Sequence, residues 1–346
     1  MPKVSVCIPS YNYAHYIGAS VESVLNQTFA DWELLIVDNH STDSTNEVLQ
    51  AFLDPRIKVF RNERNIGLLP NWNRSVALSQ GEYVCVLPAD DLLLPTMLER
   101  SVALLDSYPK VGFTFSSCQL IDTEGRIFDT MRTRTNGGVI SGLELLKSLT
   151  MFNYILSPTV LMRQTCYRQL GGYGGRYELL ADWSLYMRAA LSHDVAYIDE
   201  PQACFRFEHP GSHSARRFLK NPRLALAEEL SLLEEVFRHL PKNQEWKRIE
   251  SLAYRQAMDR HVDRTMKFLP QGQGARFRTE IAYAARRDPA FALRYRKVMV
   301  LWVASLVDAR LATWLDSFER SFWRILRGPI SETHSARFLR IGGNLG

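Results

Sequence analysis

The sequence has few cysteines, no apolar run of membrane-spanning length and no leader-like start. Its five cysteines are scattered without a C-x-x-C pair, and three lie in apolar strand-like runs, so we expect buried reduced thiols rather than ligands or disulfides. The longest apolar run, VMVLWVASLV at 298–307, is about half of what a membrane-spanning helix needs. Because the opening MPKVSVCIPSYN lacks the basic region, apolar run and cleavage site of a signal peptide, we predict a cytoplasmic protein.

Two phosphate-binding signatures are also missing. No G-x-G-x-x-G follows the first predicted strand, and no G-x-x-x-x-G-K-[ST] occurs in the sequence. Neither a dinucleotide-binding fold nor a phosphate-loop ATPase is therefore indicated.

Charge and pattern divide the 346 residues into two parts. Residues 1–214 contain 17 Lys and Arg against 23 Asp and Glu, whereas residues 215–346 contain 25 against 14. The first part alternates strand-like and helix-like segments, and several strands are continuously apolar, which indicates a mainly parallel sheet covered by helices. The second part is helical in pattern and rich in arginine. We predict an α/β domain at 1–214 and a basic α-helical region at 215–346.

Polar groups follow three of the predicted strands, where the sheet would present its carboxyl ends. The first strand ends in PSYN, the second in Asp38 and its neighbours, and the fourth in Asp90 and Asp91. Ligands of such sheets bind beyond the carboxyl ends of the strands. A carboxylate-rich site without a glycine cradle needs another way to hold phosphates, and Mg²⁺ or Mn²⁺ takes one or two carboxylates plus phosphate oxygens.

Four blocks of sequence resemble, in the same order, those of family 2 glycosyltransferases. They are VSVCIPSYN, ELLIVDNHSTDST, RNIGLLPNWNRSVALSQGEYVCVLPADD and LGGYGG…LLADWSLYMR, and the resemblance covers roughly residues 3–210. The family consists of inverting enzymes with the GT-A nucleotide-diphospho-sugar fold. The resemblance therefore implies a GT-A domain followed here by an α-helical C-terminal region.

The resemblance also implies a nucleotide site. Pro9 and Tyr11 would line the base, and Asp38 would accept a hydrogen bond from the imide N–H of uracil or thymine, since a carboxylate only accepts. A turn cap is the alternative role for Asp38. The family reads Asp-Asp-Gly-Ser where this chain has Asp38-Asn39-His40-Ser41, and we expect Asn and His to tolerate the positive φ of the turn.

Three further residues match the family pattern around that pocket: Asn65, Gly67 and Asn73. Gly67 is expected to serve the backbone, because the loop must turn sharply there.

The same resemblance makes Asp90 the direct metal ligand, with Pro88 where many relatives have a first acid. Asp91 would either support the metal or cap the turn. His209 would complete the metal shell or be a solvated loop histidine, and Arg206 or Ser212 would meet phosphate oxygens.

Asp182 matches the family's catalytic base, although the preceding acid is replaced by Ala181. An inverting transfer needs one carboxylate to take the proton of the acceptor hydroxyl. The alternative for Asp182 is the N-cap of a helix running to about residue 191.

The implied function is metal-dependent inverting transfer of a sugar from a UDP- or dTDP-sugar to a glycan or lipid-linked acceptor, in cell-surface polysaccharide synthesis. The alternatives are a sugar-1-phosphate nucleotidyltransferase, whose glycine-rich loop is missing, and a non-catalytic scaffold of the same fold.

In the basic region 215–346, apolar residues at spacings of three and four would form one helical face. This face would touch anionic lipid, pack in a helical bundle or make a dimer interface. The residues are Leu311, Trp314, Leu315, Phe318, Phe322, Ile325 and Leu326. Nucleic-acid binding is not expected, since no reader module is recognisable.

Overall fold

The computed structural model describes residues 1–133, 136–174, 176–207, 220–307 and 312–313. The chain forms two compact units, Met1–Ser212 and His213–Gly346. The first is α/β and the second is α-helical in its described part.

The first unit is built on one ten-stranded sheet with the order β3-β2-β1-β4-β9-β6-β10-β5, in which β7 pairs with β6 and β8 with β10. Its strands are β1 Val4–Ser10, β2 Trp32–Asp38, β3 Ile57–Arg61, β4 Tyr83–Val86, β5 Leu92–Leu93, β6 Val111–Ile121, β7 Ile127–Met131, β8 Gly138–Ile140, β9 Leu161–Arg163 and β10 Asp194–Arg206. The pairs β1–β2, β2–β3, β1–β4 and β6–β10 are parallel. The predicted mainly parallel sheet is confirmed.

Helices cover this sheet. They are α1 Ile17–Leu25, α2 Thr45–Leu49, α3 Leu68–Ala77, α4 Met97–Ser107, α5 Gly142–Leu149, α6 Gln164–Leu170 and α7 Ala181–Ala190, with a 3₁₀ turn at Ser157–Thr159. Every residue of β1 and β2 is buried, which explains why these strands read as continuous rather than alternating apolar runs. All five cysteines are buried and free, as expected.

The sheet after residue 120 is less regular than its first half. β9 lies antiparallel between β4 and β6, and β5 pairs antiparallel with β10. The predicted hairpin is present, since β6 and β7 are joined through a turn in which Gly125 adopts a φ of 83°. These additions leave the carboxyl ends of β1, β2 and β4 side by side at one edge.

The second unit contains α8 Pro222–His239, α9 Gln244–Met266, α10 Gly274–Ala285, α11 Phe291–Arg294 and α12 Arg296–Val307. The apolar face predicted around Trp314 and Phe318 lies outside the described residues.

No helix in the described part of the chain is both long and apolar enough to cross a membrane.

Candidate active site

Asp90 lies in the turn that follows β4, with its carboxylate partly exposed. The turn closes through the N–H of Asp91, which donates to the carbonyl of Pro88 at 3.1 Å. The Ser20 hydroxyl of α1 donates to the carbonyls of Ala89 at 2.9 Å and Asp91 at 2.8 Å. The turn that carries Asp90 is therefore held by its own backbone hydrogen bond and by the Ser20 side chain.

Asp91 is buried, with 1% of its surface exposed. Its Oδ1 accepts the backbone N–H of Arg206 at 2.8 Å, and its Oδ2 has no hydrogen-bond partner. Burial, and then the neighbouring Asp90 carboxylate, raise the pKa of Asp91 well above its usual range. Of the two predicted roles, these contacts favour support of the turn over exposure to a ligand.

Arg206 is held inside the protein by backbone carbonyls, and its contact with phosphate stays a prediction. It is 5% exposed, and its guanidinium donates to three backbone carbonyls: Nε to Asp90 at 3.0 Å, and Nη1 to Asp122 at 2.6 Å and Thr123 at 3.1 Å. The guanidinium carbon also lies 4.5 Å from the ring centroid of Tyr16. These contacts tie the Asp90 turn to the β6–β7 turn.

Asp38 ends β2 and is 2% exposed. It accepts hydrogen bonds from the backbone N–H of Ser41 at 3.1 Å and from the Ser41 hydroxyl, and Arg61 Nη1 lies 2.5 Å from its Oδ2. Asp38 therefore caps the turn, which is the alternative role considered for it. Its contact with a nucleotide base stays a prediction. His40 adopts the expected positive φ, at 67°. Pro9 is buried in β1 and Tyr11 follows that strand, partly exposed.

Asn39 stands where the family has an acid. Its side-chain amide makes two donated and two accepted hydrogen bonds within the protein. Its Nδ2 donates to Asn65 Oδ1 at 2.9 Å and to the carbonyl of Gly67 at 3.1 Å. Its Oδ1 accepts from Asn62 Nδ2 at 2.7 Å and from the N–H of Ile66 at 2.9 Å. A carboxylate has no donor for the first two acceptors, which gives this departure from the family a physical reason.

Gly67 and Asn65 shape this loop together. Gly67 has a φ of 92°, so the predicted backbone role is confirmed, and its N–H donates to Asn65 Oδ1 at 2.9 Å. Asn65 thus holds the loop whose nucleotide contacts stay a prediction.

Asn73 clamps the glycine-rich loop at 171–174. Its Oδ1 accepts the N–H of Tyr173 at 2.8 Å, and its Nδ2 donates to the Tyr173 carbonyl at 2.5 Å. From the other side Arg188 donates to the carbonyls of Leu170 at 2.6 Å and Gly172 at 3.2 Å. The oxygen and the nitrogen of the Asn73 amide both bond this loop, and its place at the nucleotide pocket stays a prediction.

Asp182 is the second residue of α7, whose N-cap is Leu180, so the N-cap alternative misplaces it. Its Oδ1 accepts the N–H of Trp183 at 2.7 Å, and its Oδ2 accepts Asn153 Nδ2 at 3.3 Å. Burial raises the pKa of Asp182 to about 6, and these hydrogen bonds limit the rise. A carboxyl with that pKa is ionised at neutral pH and can take a proton in the pH range where an enzyme works.

Asn153 was missed by sequence reasoning because it lies in an irregular segment after α5. Its Oδ1 accepts the N–H of Ile155 at 3.1 Å, which orients the amide nitrogen toward Asp182. No spacing or motif in the sequence around Asn153 predicts its contact with Asp182.

Within the described residues, no three His, Cys, Asp or Glu side chains converge as a metal site. His209 and Ser212 lie outside those residues. In the turn after β4, Asp90 is partly exposed, and the hard oxygen donor it supplies suits Mg²⁺ or Mn²⁺ if phosphate oxygens and water complete the shell. The residues present therefore fit a cation that is held jointly with a substrate.

Part of the sequence is similar to those of known glycosyltransferases. Residues 5–156 match the family model described as "Glycosyl transferase family 2". Over 119 residues the chain is 34% identical to the UDP-Glc:alpha-D-GlcNAc-diphosphoundecaprenol beta-1,3-glucosyltransferase WfgD of Escherichia coli, covering 34% of this chain and 47% of WfgD. The chain spans about half of the length of several curated relatives that it matches.

Two solved structures share the fold. TarS 1–349 of S. aureus in complex with UDP-GlcNAc has a TM-score of 0.62 at 18% identity, covering 92% of both chains. The mannosyltransferase PcManGT of Pyrobaculum calidifontis, in complex with GDP-Man and Mn²⁺, has a TM-score of 0.52 at 17% identity, covering 90% of this chain and 83% of that one.

The sheet and its polar carboxyl edge match the GT-A fold of these glycosyltransferase structures. Residues 5–156 are similar to glycosyltransferase family 2.

Proposed function

We propose that this protein is a metal-dependent inverting glycosyltransferase. It would move a sugar from a UDP- or dTDP-sugar to a hydroxyl of a glycan or lipid-linked acceptor, in cell-surface polysaccharide synthesis. The observation that carries the proposal is the partly buried carboxyl of Asp182, with its pKa raised to about 6, in a domain whose β4 turn presents a second carboxylate, Asp90.

Asp182 is the proposed general base. It takes the proton of the acceptor hydroxyl as that oxygen attacks the anomeric carbon, and the bond from that carbon to the diphosphate oxygen breaks in the same displacement. The nucleoside diphosphate leaves with the bonding electron pair. One displacement inverts the anomeric centre, so no second carboxylate is needed as a nucleophile.

Asp90 is the proposed metal-holding residue. Mg²⁺ or Mn²⁺, when bound there, would offset the charge of the departing diphosphate. The protein's own contribution is the fixed turn, held by Ser20 and by Arg206. The Mn²⁺ of the mannosyltransferase of the same fold supports this proposal without choosing between the two ions.

The nucleotide is proposed to lie over Pro9 and Tyr11, next to the turn that Asp38 caps and the loop that Asn39, Asn65 and Gly67 shape. The names of WfgD and of the TarS complex contain UDP-Glc and UDP-GlcNAc, which supports a uridine nucleotide. The proposed lipid-linked acceptor rests on the diphosphoundecaprenol in the name of WfgD.

We extend the proposal to the whole chain: residues 1–214 catalyse transfer, and the basic region 215–346 brings the protein to the inner face of the cytoplasmic membrane as a peripheral protein. The excess of 25 Lys and Arg over 14 Asp and Glu in that region supports the second part.

A transfer assay tests the reaction. The full chain is incubated with Mn²⁺ or Mg²⁺, a panel of UDP- and dTDP-sugars, and lipid-diphosphate glycan acceptors, and the anomeric configuration of the product is read by NMR. Asp182→Asn should lower kcat by at least about a hundredfold. Asp194→Asn, the same substitution at the start of β10, is the matched control and should keep full activity.

Measurements of UDP binding test the proposed metal site separately from the proposed catalytic base. Calorimetric titration with UDP should give metal-dependent affinity that Asp90→Ala abolishes and Asp182→Asn keeps. Metal-dependent UDP binding without transfer to any acceptor would favour the scaffold, and unaltered turnover in Asp182→Asn would refute the base.

A further inference from the structure

Helix α12 has one face that packs within its unit. Val298, Leu301 and Ser305, spaced three and four residues apart, are 7% or less exposed. The indole N–H of Trp302 donates to the carbonyl of Arg278 in α10 at 3.1 Å, and Arg278 in turn bonds the carbonyl of Ser305. This face anchors α12 to α10.

The other face of α12 is apolar and exposed. Val300, Val303 and Leu306 are 60%, 56% and 57% exposed, and Leu293 of the preceding α11 is 71% exposed. At about 100° per residue, Arg296 and these three residues of α12 fall within an arc of about 120°. Valine and leucine gathered on one such arc, rather than scattered singly, mark an interaction surface.

Basic residues are concentrated in the same segment of the chain, and two of them, Arg296 and Lys297, begin α12 itself. Between residues 286 and 307 the only acid is Asp288, which pairs with Arg294 at 2.7 Å. The five basic residues of the same segment are all exposed: Arg286, Arg287, Arg294, Arg296 and Lys297. We call this combination of exposed basic and apolar side chains the α12 surface.

We propose that the α12 surface docks on an anionic lipid bilayer, with Val300, Val303 and Leu306 among the headgroups and the basic residues beside them. An apolar helical arc flanked by Arg and Lys is the arrangement of helices that lie in a membrane interface. It gives the membrane contact within the proposed function a defined place in the chain, ahead of the apolar face that the sequence suggested between Leu311 and Leu326.

A second copy of the chain fits this surface less well. A two-fold dimer would bring the α12 surface against itself, so Arg296 and Lys297 would approach their own copies. Like charges placed opposite each other oppose association, whereas the phosphates of an anionic bilayer attract both.

Vesicle co-sedimentation of the full chain tests the proposal at physiological ionic strength, where screening acts beyond about 8 Å. Binding should be strong to vesicles containing phosphatidylglycerol and weak to phosphatidylcholine alone. Because each basic residue near such a surface contributes about fivefold to binding, Arg296→Gln with Lys297→Gln should weaken it by about thirtyfold. The matched control, Lys247→Gln with Arg248→Gln, removes the same charge from exposed positions of α9 and should bind normally.

Val300→Ser with Val303→Ser tests the apolar half and should also weaken binding, without loss of thermal stability, since both side chains are exposed. Equal binding to both vesicle types, or equal losses in the α12 and control pairs, would overturn the proposal. So would a dimer, seen by sedimentation velocity, that the serine pair dissolves. Transfer to a water-soluble acceptor is measured in parallel, so a failure of the membrane surface is separable from a failure of the enzyme.

Discussion

Replacing Asn153 with alanine should shift the pH dependence of transfer without abolishing transfer. Asn153 Nδ2 donates to Asp182 Oδ2 at 3.3 Å and so favours the charged carboxylate, against the burial that raises its pKa to about 6. A hydrogen bond of this length contributes on the order of 0.7 kcal/mol, which corresponds to roughly half a pKa unit. The acid limb of kcat/KM, centred near pH 6 in the unmodified protein, should therefore move upward by about half a unit.

The same carboxyl should link stability to pH in the opposite direction from activity. The folded-state pKa of Asp182, about 6, lies above the ordinary value of 3.8, so between these values the folded protein holds more protons than the unfolded one. Stability is then fully present below about pH 4 and falls as pH rises through 6, by up to about 3 kcal/mol. Transfer rises over the same interval, because the base must lose its proton to act.

Two measurements check this reasoning. Initial rates at subsaturating acceptor, from about pH 5 to about pH 8, give the acid limb, and urea unfolding from about pH 4 to about pH 7 gives the stability slope. Asn46→Ala, which removes an exposed asparagine of α2, should leave the limb unmoved. Asp182→Asn has no proton to lose and should flatten both profiles. A limb that stays in place in Asn153→Ala, or moves equally in Asn46→Ala, would refute the assignment.

Three other substitutions test the framework of the site. In Gly172→Ala the added Cβ would lie 2.6 Å from Asn73 Oδ1, so its melting temperature should fall further than that of Gly171→Ala, which shares a positive φ but meets nothing within 4 Å. Equal losses would mean that backbone strain alone matters. Asn39→Asp, which restores the family's acid, should cost about 1–3 kcal/mol in urea unfolding because two acceptors lose their donor; a gain in stability would contradict the amide network. Arg206→Lys should weaken metal-dependent UDP binding by about tenfold in calorimetry, since lysine cannot bridge three carbonyls, and unchanged affinity would argue against its role in holding the Asp90 turn.

The elements that the sequence predicted well are those with local signals. Continuously apolar strands predicted the parallel core, and the position of Asp90 after such a strand placed it at the carboxyl edge of the sheet. Gly67 was assigned to the backbone because few other residues accept a sharp turn, and its φ of 92° bears this out. In each case the sequence signal lies within a few residues of the structural feature that it predicts.

What the sequence could not predict depends on partners far along the chain. The charge of Arg206 suggested a phosphate contact, but its acceptors are carbonyls at residues 90, 122 and 123. The contact of Asn153 with Asp182 spans 29 positions and an irregular segment. Hydrogen bonds between irregular segments follow no period, so they become visible only once the sheet has brought the segments together.

The tie between Arg206 and Asp90 joins residues 116 positions apart, which has a consequence for biosynthesis. The β4 turn leaves the ribosome roughly ten seconds before β10 does, at ordinary translation rates. Until β10 pairs with β6 and β5, the turn lacks the guanidinium that fixes its backbone. The nascent domain thus acquires the Arg206 bond to the Asp90 turn only near the completion of its sheet, and a chain that stops short of β10 would keep the acidic motif without that bond.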